Sequence, residues 1–217
     1  KKNMVFGMTW GRAMHEFVEQ LAKDERLRSL SFQNVKVVPF LGTPGAIQSD
    51  SWNTTTYSNT LATKVGNLLH CASYNLSAPM YVEGTKEKEL IESIDEIAKV
   101  LHMAETADIA LIGIGSMQDD SSIIKAEIRT REEYKELVRK GAVGEIVGRI
   151  YDKNGQTVDE DLKRKMVGIS LDKIAKIPVR VGMSYGKDKI EAIKGAIAGG
   201  LVNVLVTDVP TAELLLK

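Results

Sequence analysis

The sequence holds a single cysteine, Cys71, and three histidines, His15, His70 and His102, among 217 residues. One cysteine excludes an internal disulfide and fits a reducing cytosol, so a cytoplasmic protein is expected. No second cysteine and no close histidine accompanies Cys71, which makes it a poor metal ligand. The histidines are scattered, without metal spacing or a matched Ser or Cys partner for nucleophilic catalysis. They read as structural, and neither metal nor cofactor is expected. An excess of positive charge is also missing: Lys plus Arg number 29 and Asp plus Glu number 29. DNA-binding domains usually carry a basic surplus, so this piece by itself is not expected to hold nucleic acid. The longest apolar runs fall far short of a membrane span, and no signal-peptide pattern opens the chain. No Pro-, Gly- or Ser-rich linker divides it and no internal repeat is visible, so one large α/β domain over 1–217 is expected. The opening Lys1-Lys2-Asn3, without an initiator methionine, reads as a fragment or a processed chain.

What is present is an alternation of short apolar runs with segments of helical period. Met4 to Met8 reads as a strand, followed by a helix whose inner face carries Met14, Phe17, Val18 and Leu21. Val35 to Leu41 reads as the next strand, closed by Gly42, Pro44 and Gly45. Residues 56–73 look helical, and Met80 to Val82 suits a short strand. The spacing of Leu90, Ile91, Ile94, Ile97, Ala98 and Leu101 predicts one long helix over 86–106. Ile109 to Ile114 reads as a buried strand and 131–140 as a helix. Ile146 to Tyr151, Asn154-Gly155 and Gln156 to Val158 form a hairpin signal. Short helical pieces fill 159–176. Pro178 to Met183 is a strand, 187–198 a helix with Ile190, Ile193 and Ile197 inward, Asn203 to Val206 a strand and 210–217 a terminal helix. Such alternation implies a mostly parallel sheet with helices on both faces, a Rossmann-like arrangement. Ligands then sit beyond the carboxyl ends of the strands, at 9–13, 41–46, 113–120 and 182–189.

Four segments there can carry chemistry. Gly7-Met8-Thr9-Trp10-Gly11-Arg12-Ala13 ends a strand and opens a helix, so its N–H groups and dipole make an anion seat. Gly11 allows close backbone approach, and Arg12 can give a phosphate two parallel bonds. The same features also suit a tight turn with a solvated Arg12. Ser184-Tyr185-Gly186-Lys187-Asp188-Lys189 lies at a second strand–helix junction, where Lys187 and Lys189 oppose the dipole unless an anion sits there; as surface charges they need no ligand. Gly113-Ile114-Gly115-Ser116 leaves room for a ligand but lacks the third glycine of a dinucleotide fingerprint. Gln118, Asp119 and Asp120 follow, the last two as an acid pair or as loop caps. In Gly141-Ala142-Val143-Gly144-Glu145-Ile146, Glu145 suits sugar hydroxyls or local N–H groups equally. Trp10 and Trp52 suit either a pocket wall or ordinary packing.

The order of these segments resembles the sugar-binding effector domain of SorC/DeoR-type transcriptional regulators. Gly7 to Arg12 is similar to the family's GWGRT stretch, and GAVGEIVGRIYD at 141–152 to its GAVGDI…FFD. GKDKIEAIKGAIAGGLVNVLVTD at 186–208 resembles GG..K..AI..AL.GG..NVLITD, and TAELLL at 211–216 the expected end. Asn59 stands at an NELA-like position, and DIALIGIG at 108–115 resembles the central strand. The likeness covers essentially the whole chain. It implies a fold like that of sugar-phosphate isomerases used for sensing, with the DNA-contacting helix-turn-helix and the start of the effector domain absent. It also implies homo-oligomers, dimer or tetramer, without membrane contact. Carried over by position, Gly11, Arg12 and Lys189 hold a phosphate or equivalent anion, while Asn59, Gln118 and Glu145 meet hydroxyls. Ala13 replaces a usual hydroxyl residue, Tyr185 a usual glycine, and Leu41 stands where some deoxyribose-phosphate sensors have a Schiff-base lysine. The alternatives are a sugar-phosphate isomerase, with Glu145 or Asp119/Asp120 as base, and a purely structural oligomerisation domain.

Overall fold

A computed structural model describes residues 3–30, 32–44, 54–119 and 121–217. Gly45, Trp52 and Asp120 lie outside the described residues. The main sheet has six strands: β1 (Met4–Met8), β2 (Val35–Pro39), β3 (Ala72–Ser73), β4 (Ile109–Gly113), β8 (Val179–Met183) and β9 (Val204–Val206). Their order is β3-β2-β1-β4-β8-β9, and every pair is parallel. A second sheet, of β5 (Gly115–Ser116), β6 (Ala142–Ile146) and β7 (Arg149–Asp152), is antiparallel. The order reverses between β1 and β4, which makes a crevice at their carboxyl ends.

The helices are α1 (Arg12–Leu21), α2 (Ser58–Leu68), α3 (Thr85–Glu92), α4 (Asp95–Glu105), α5 (Ser122–Lys125), α6 (Arg131–Arg139), α7 (Glu160–Lys165), α8 (Leu171–Ile174), α9 (Ile190–Ala198) and α10 (Val209–Leu215). On one face of the sheet, Met14 and Val18 of α1 and Leu61, Ala62 and Val65 of α2 pack against Met8, Val37 and Met183. On the other, Ala104 of α4 and Ala192, Ile193 and Ala196 of α9 join Val38, Ala110 and Ile112 in the larger core. Side-chain caps fix several helix starts. Thr130 and Glu133 form a capping box at α6, and Asp159 and Asp208 accept from first-turn N–H groups of α7 and α10.

Four expectations are corrected. The helix over 86–106 is two helices, because Ile94 leaves helical geometry at ψ 123 and Ser93 Oγ bonds back to the Leu90 carbonyl. That break leaves Leu90 and Ile94 exposed rather than on an inner stripe. The run Ile146 to Tyr151 is not one strand but is broken by a turn at Val147-Gly148, both at positive φ (55° and 70°), which makes β6 and β7 a hairpin of their own. The expected turn at Asn154-Gly155 forms as well: Asp152 N–H donates to Gln156 O, Val158 N–H to Ile150 O, and Tyr151 bridges Thr157 antiparallel. Met80 to Val82 makes only an isolated bridge at Tyr81, and Ile197 is exposed on the outer side of α9.

Candidate functional site

Thr9 ties the crevice together. Its N–H donates to Leu111 O at 3.0 Å, and its buried Oγ1 accepts from the Gly113 N–H at 2.8 Å. A Cβ at 113 would sit 3.2 Å from Trp10 O, a tight contact that glycine avoids where the ends of β1 and β4 meet. The crevice opens into a cavity of about 380 Å³, within the size range of small-molecule sites. Its walls come from Trp10 to Ala13, Gly113 to Ser116, Ser121 and Ser122, Glu145, and Ser184, Tyr185, Asp188 and Lys189.

One end is the start of α1. Gly11, at φ 108°, is its N-terminal flanking residue, and nothing stands within 4 Å of where its Cβ would be. No side chain caps this helix and no acid lies in its first turn. A ten-residue helix therefore presents its positive end, with Arg12 as first residue, to the cavity.

Another wall is polar and built from distant segments. Gly115 pairs with Glu145 across β5 and β6, and a side chain at 115 would meet Glu145 Oε2 at 2.7 Å. The buried Glu145 accepts from the Gly148 N–H and hydrogen-bonds the Trp10 indole. Burial pushes its carboxyl above the usual 4.5, against the opposing pull of Gly148, Trp10, Lys189 and Arg149. Arg149 lies deeper and donates Nη2 to the carbonyls of Met166 (3.2 Å) and Gly168 (3.1 Å). Burial lowers its guanidinium to about 10, although Glu92 and Glu145 work the other way. Lys189 Nζ donates to Ser116 Oγ at 2.9 Å, and Asp188 Oδ2 stands 3.5 Å from that hydroxyl and 4.0 Å from the ammonium.

The structure thus brings together Gly11, Arg12, Glu145 and Lys189. Asn59 and Gln118 stand apart. Asn59 Nδ2 donates to Thr43 Oγ1 and Leu76 O, and its Oδ1 accepts from Leu76 N, which stitches α2 to two loops. Gln118 is exposed, and its backbone closes the turn ahead of α5. Asp119 is exposed and does not line the cavity, nor do His15, His70 or His102. Ser116, Ser184 and Asp188 line the cavity without a role assigned from sequence; only the pairing of β5 with β6, which sets Gly115 against Glu145 and Ser116 against Gly144, brings Ser116 to this wall. Among the described residues no His, Cys, Asp and Glu group could hold a metal, and no helix is long and apolar enough to cross a membrane.

The Glu145 environment has a measurable consequence. Its raised pKa means that the folded state holds the proton more tightly than the unfolded chain. The contribution of Glu145 to stability is then fully present below 4.5 and is lost as pH rises through the folded value. Glu145→Gln is expected to raise stability at pH 7 by about 1 kcal/mol, roughly 2–4 °C in Tm for a chain of this size. The gain should vanish as pH falls to 4.5 and below in melting curves. A variant less stable than wild type at pH 7 would show the charged form to be favoured in the fold.

Comparison with known proteins gives a consistent picture. A family model described as "Putative sugar-binding domain" matches residues 1–217. The sorbitol operon regulator of Klebsiella pneumoniae is 30% identical over 215 residues, 98% of this chain and 65% of that protein. The transcriptional regulator LsrR of Escherichia coli is 35% identical over 159 residues, 71% of this chain and 50% of that protein. The crystal structure of full-length SorC from Klebsiella pneumoniae superposes with a TM-score of 0.86 at 30% identity, over 100% of this chain and 66% of that one. The chain therefore spans between half and two thirds of the length of these relatives, whose names are those of regulators rather than enzymes.

Proposed function

This chain belongs to the family of sugar-binding domains, and on that premise we propose that it senses a phosphorylated sugar for a transcriptional regulator. The observation that carries this reading is the pairing of an anion-seat helix start, Gly11-Arg12, with a hydroxyl-matching wall of Glu145, Ser116 and Lys189 in one cavity. A phosphate docks on the α1 N-terminus and Arg12, with Lys189 within reach, and the carbon chain lies against Glu145. Asn59 and Gln118 contribute indirectly, Asn59 by holding the loops at Thr43 and Leu76, and Gln118 by shaping the turn before α5. DNA is contacted by a separate helix-turn-helix, in a cytoplasmic homo-oligomer. The sugar biases one arrangement of that assembly over another, in proportion to its differential affinity for the two.

A thermal-shift screen tests this. Because one relative is named for a sorbitol operon, hexitols belong in the panel beside aldoses and ketoses, each with and without a terminal phosphate. A ligand at a hundredfold excess over Kd stabilises the fold by about 2.7 kcal/mol. The expected result is a shift with a phosphorylated member and a smaller one with its unphosphorylated match, without turnover. A shift from free sugars only would overturn the phosphate seat, and turnover would overturn the sensor.

A further inference from the structure

We propose that Asp188 is a specificity-determining residue of this cavity: an internal carboxylate that occupies the Lys189–Ser116 end and must yield to an incoming phosphate. The inference rests on the sugar-phosphate reading and extends it to a residue of the 184–189 segment to which the sequence assigns no role of its own.

The geometry is particular. Asp188 lies in the short turn Lys187–Lys189 that leads into α9. Its Oδ1 folds back over Gly186, where a Cβ would meet it at 2.8 Å, and its Oδ2 faces Ser116 Oγ at 3.5 Å and Lys189 Nζ at 4.0 Å. Lys189 is itself bound to Ser116 Oγ at 2.9 Å, so ammonium, hydroxyl and carboxylate form a closed triangle. Asp188 is about half exposed and lines the cavity, so it can swing outward without unpacking the core.

The charge count around the cavity gives this triangle its meaning. Two cations, Arg12 and Lys189, face two carboxylates, Glu145 and Asp188. Glu145 is buried and held by the Gly148 N–H, so it stays in place. Asp188 is the movable one. A phosphate oxygen approaching Lys189 and Ser116 takes over the bonds that Asp188 now competes for, and meets its charge until the carboxylate leaves. An uncharged hydroxyl meets no such repulsion. Asp188 therefore narrows the advantage of phosphorylated over free ligands, and couples phosphate arrival to the start of α9.

Inorganic phosphate is the probe, titrated at constant ionic strength into wild type, Asp188→Asn, and Asp188→Asn combined with Arg12→Ala, with binding followed by the shift in Tm. Asparagine keeps the size and removes the charge. At least a tenfold tighter phosphate Kd is expected in the single variant, about 1.4 kcal/mol, and loss of that gain in the double variant. Asp188→Ser should show the same gain. Equal phosphate affinity in wild type and both single variants, binding undetectable in all of them included, would overturn the proposal. So would a gain that survives Arg12→Ala, since it would then come from general surface charge. Failure of the sugar reading looks different: phosphate would bind with the expected pattern, but no sugar phosphate would displace it.

Discussion

Arg12→Ala should weaken binding of a phosphorylated sugar by about 100-fold, in the range of a lost charge-assisted, two-bond contact. The affinity of the unphosphorylated match should change by no more than about threefold, since surface charge far from a neutral group contributes little. The asymmetry follows from position: Arg12 stands at the uncapped start of α1, where the helix presents its positive end to the cavity. Lys189→Ala is expected to cost the phosphorylated ligand at least tenfold, about 1.4 kcal/mol, and the free sugar somewhat less. Lys189 also holds Ser116, so its loss disturbs the hydroxyl wall as well. Calorimetric titration of matched ligand pairs reads both effects. Unchanged phosphosugar affinity in both variants would remove the phosphate seat from this end of the fold.

Arg129→Met should cost about 3–5 kcal/mol of stability, roughly 6–20 °C in Tm, while leaving ligand affinity unchanged below the transition. Arg129 Nε and Nη2 bind the two carboxylate oxygens of Asp159 at 2.9 and 3.1 Å, with the pair 10% and 7% exposed. Nη2 reaches Asp161 as well, at 3.0 Å. The pair ties the segment ahead of α6 to the start of α7, where Asp159 also accepts from Leu162 N at 2.9 Å. Methionine fills the space but strands a buried carboxylate, which is where most of the cost arises. The double variant Arg129→Met/Asp159→Leu removes that stranded charge and should recover about half of the loss, less the capping bond. Thermal and denaturant unfolding of the two variants decide it. A single variant within about 1 kcal/mol of wild type would mean that the pair is solvated rather than buried.

Much of this architecture was legible in the sequence because its determinants are local. The apolar runs at Met4–Met8, Ile109–Gly113 and Val179–Met183 give strands, and Met14, Phe17, Val18 and Leu21 repeat with helical period, so the β1–α1 unit and its neighbours follow from spacing. The misreadings came where tertiary context overrode local preference. Ile94 continues an apolar stripe, yet its backbone starts a new helix. Val147 is a β-branched residue at φ 55°, a conformation its side chain disfavours, so no turn signal marks the β6–β7 hairpin, while Asn154-Gly155 marks the turn that follows it. Ile197 fits the inner period of α9 but looks outward.

The site divides in the same way. Gly11, Arg12 and Lys189 sit at strand ends of a parallel sheet, where ligand contacts concentrate, and could be named from topology. Glu145 could be named as a carboxylate in a glycine-rich turn, but its placement over Gly115 depends on the second sheet. Asn59 and Gln118 carry suitable polar groups, yet the hydrogen bonds to Thr43 and Leu76 occupy the first, and the exposed turn before α5 carries the second away from the cavity. Asp188 differs from its neighbours in no sequence signal. Only its approach to Ser116 and Lys189 sets it apart.

The fold also holds a larger cavity, about 870 Å³, between Tyr74, Asn75 and Ser77 and the length of α4, with Ile94, Ile97 and Met103 in a mostly apolar wall. Glu96, Lys99 and His102 also line it, but it lacks the buried carboxylate of the switch-point crevice, and its mostly apolar wall offers sugar hydroxyls few partners. Mapping amide and indole chemical-shift changes on adding a phosphorylated sugar identified by the thermal screen separates the two sites most directly. The expected result is perturbation of the Trp10 indole and of Gly11, Gly113 and Gly115, all lining the smaller cavity. Changes centred on Ile97 and Met103, with Trp10 and Gly113 still, would place the sugar in the other cavity and contradict the assignment.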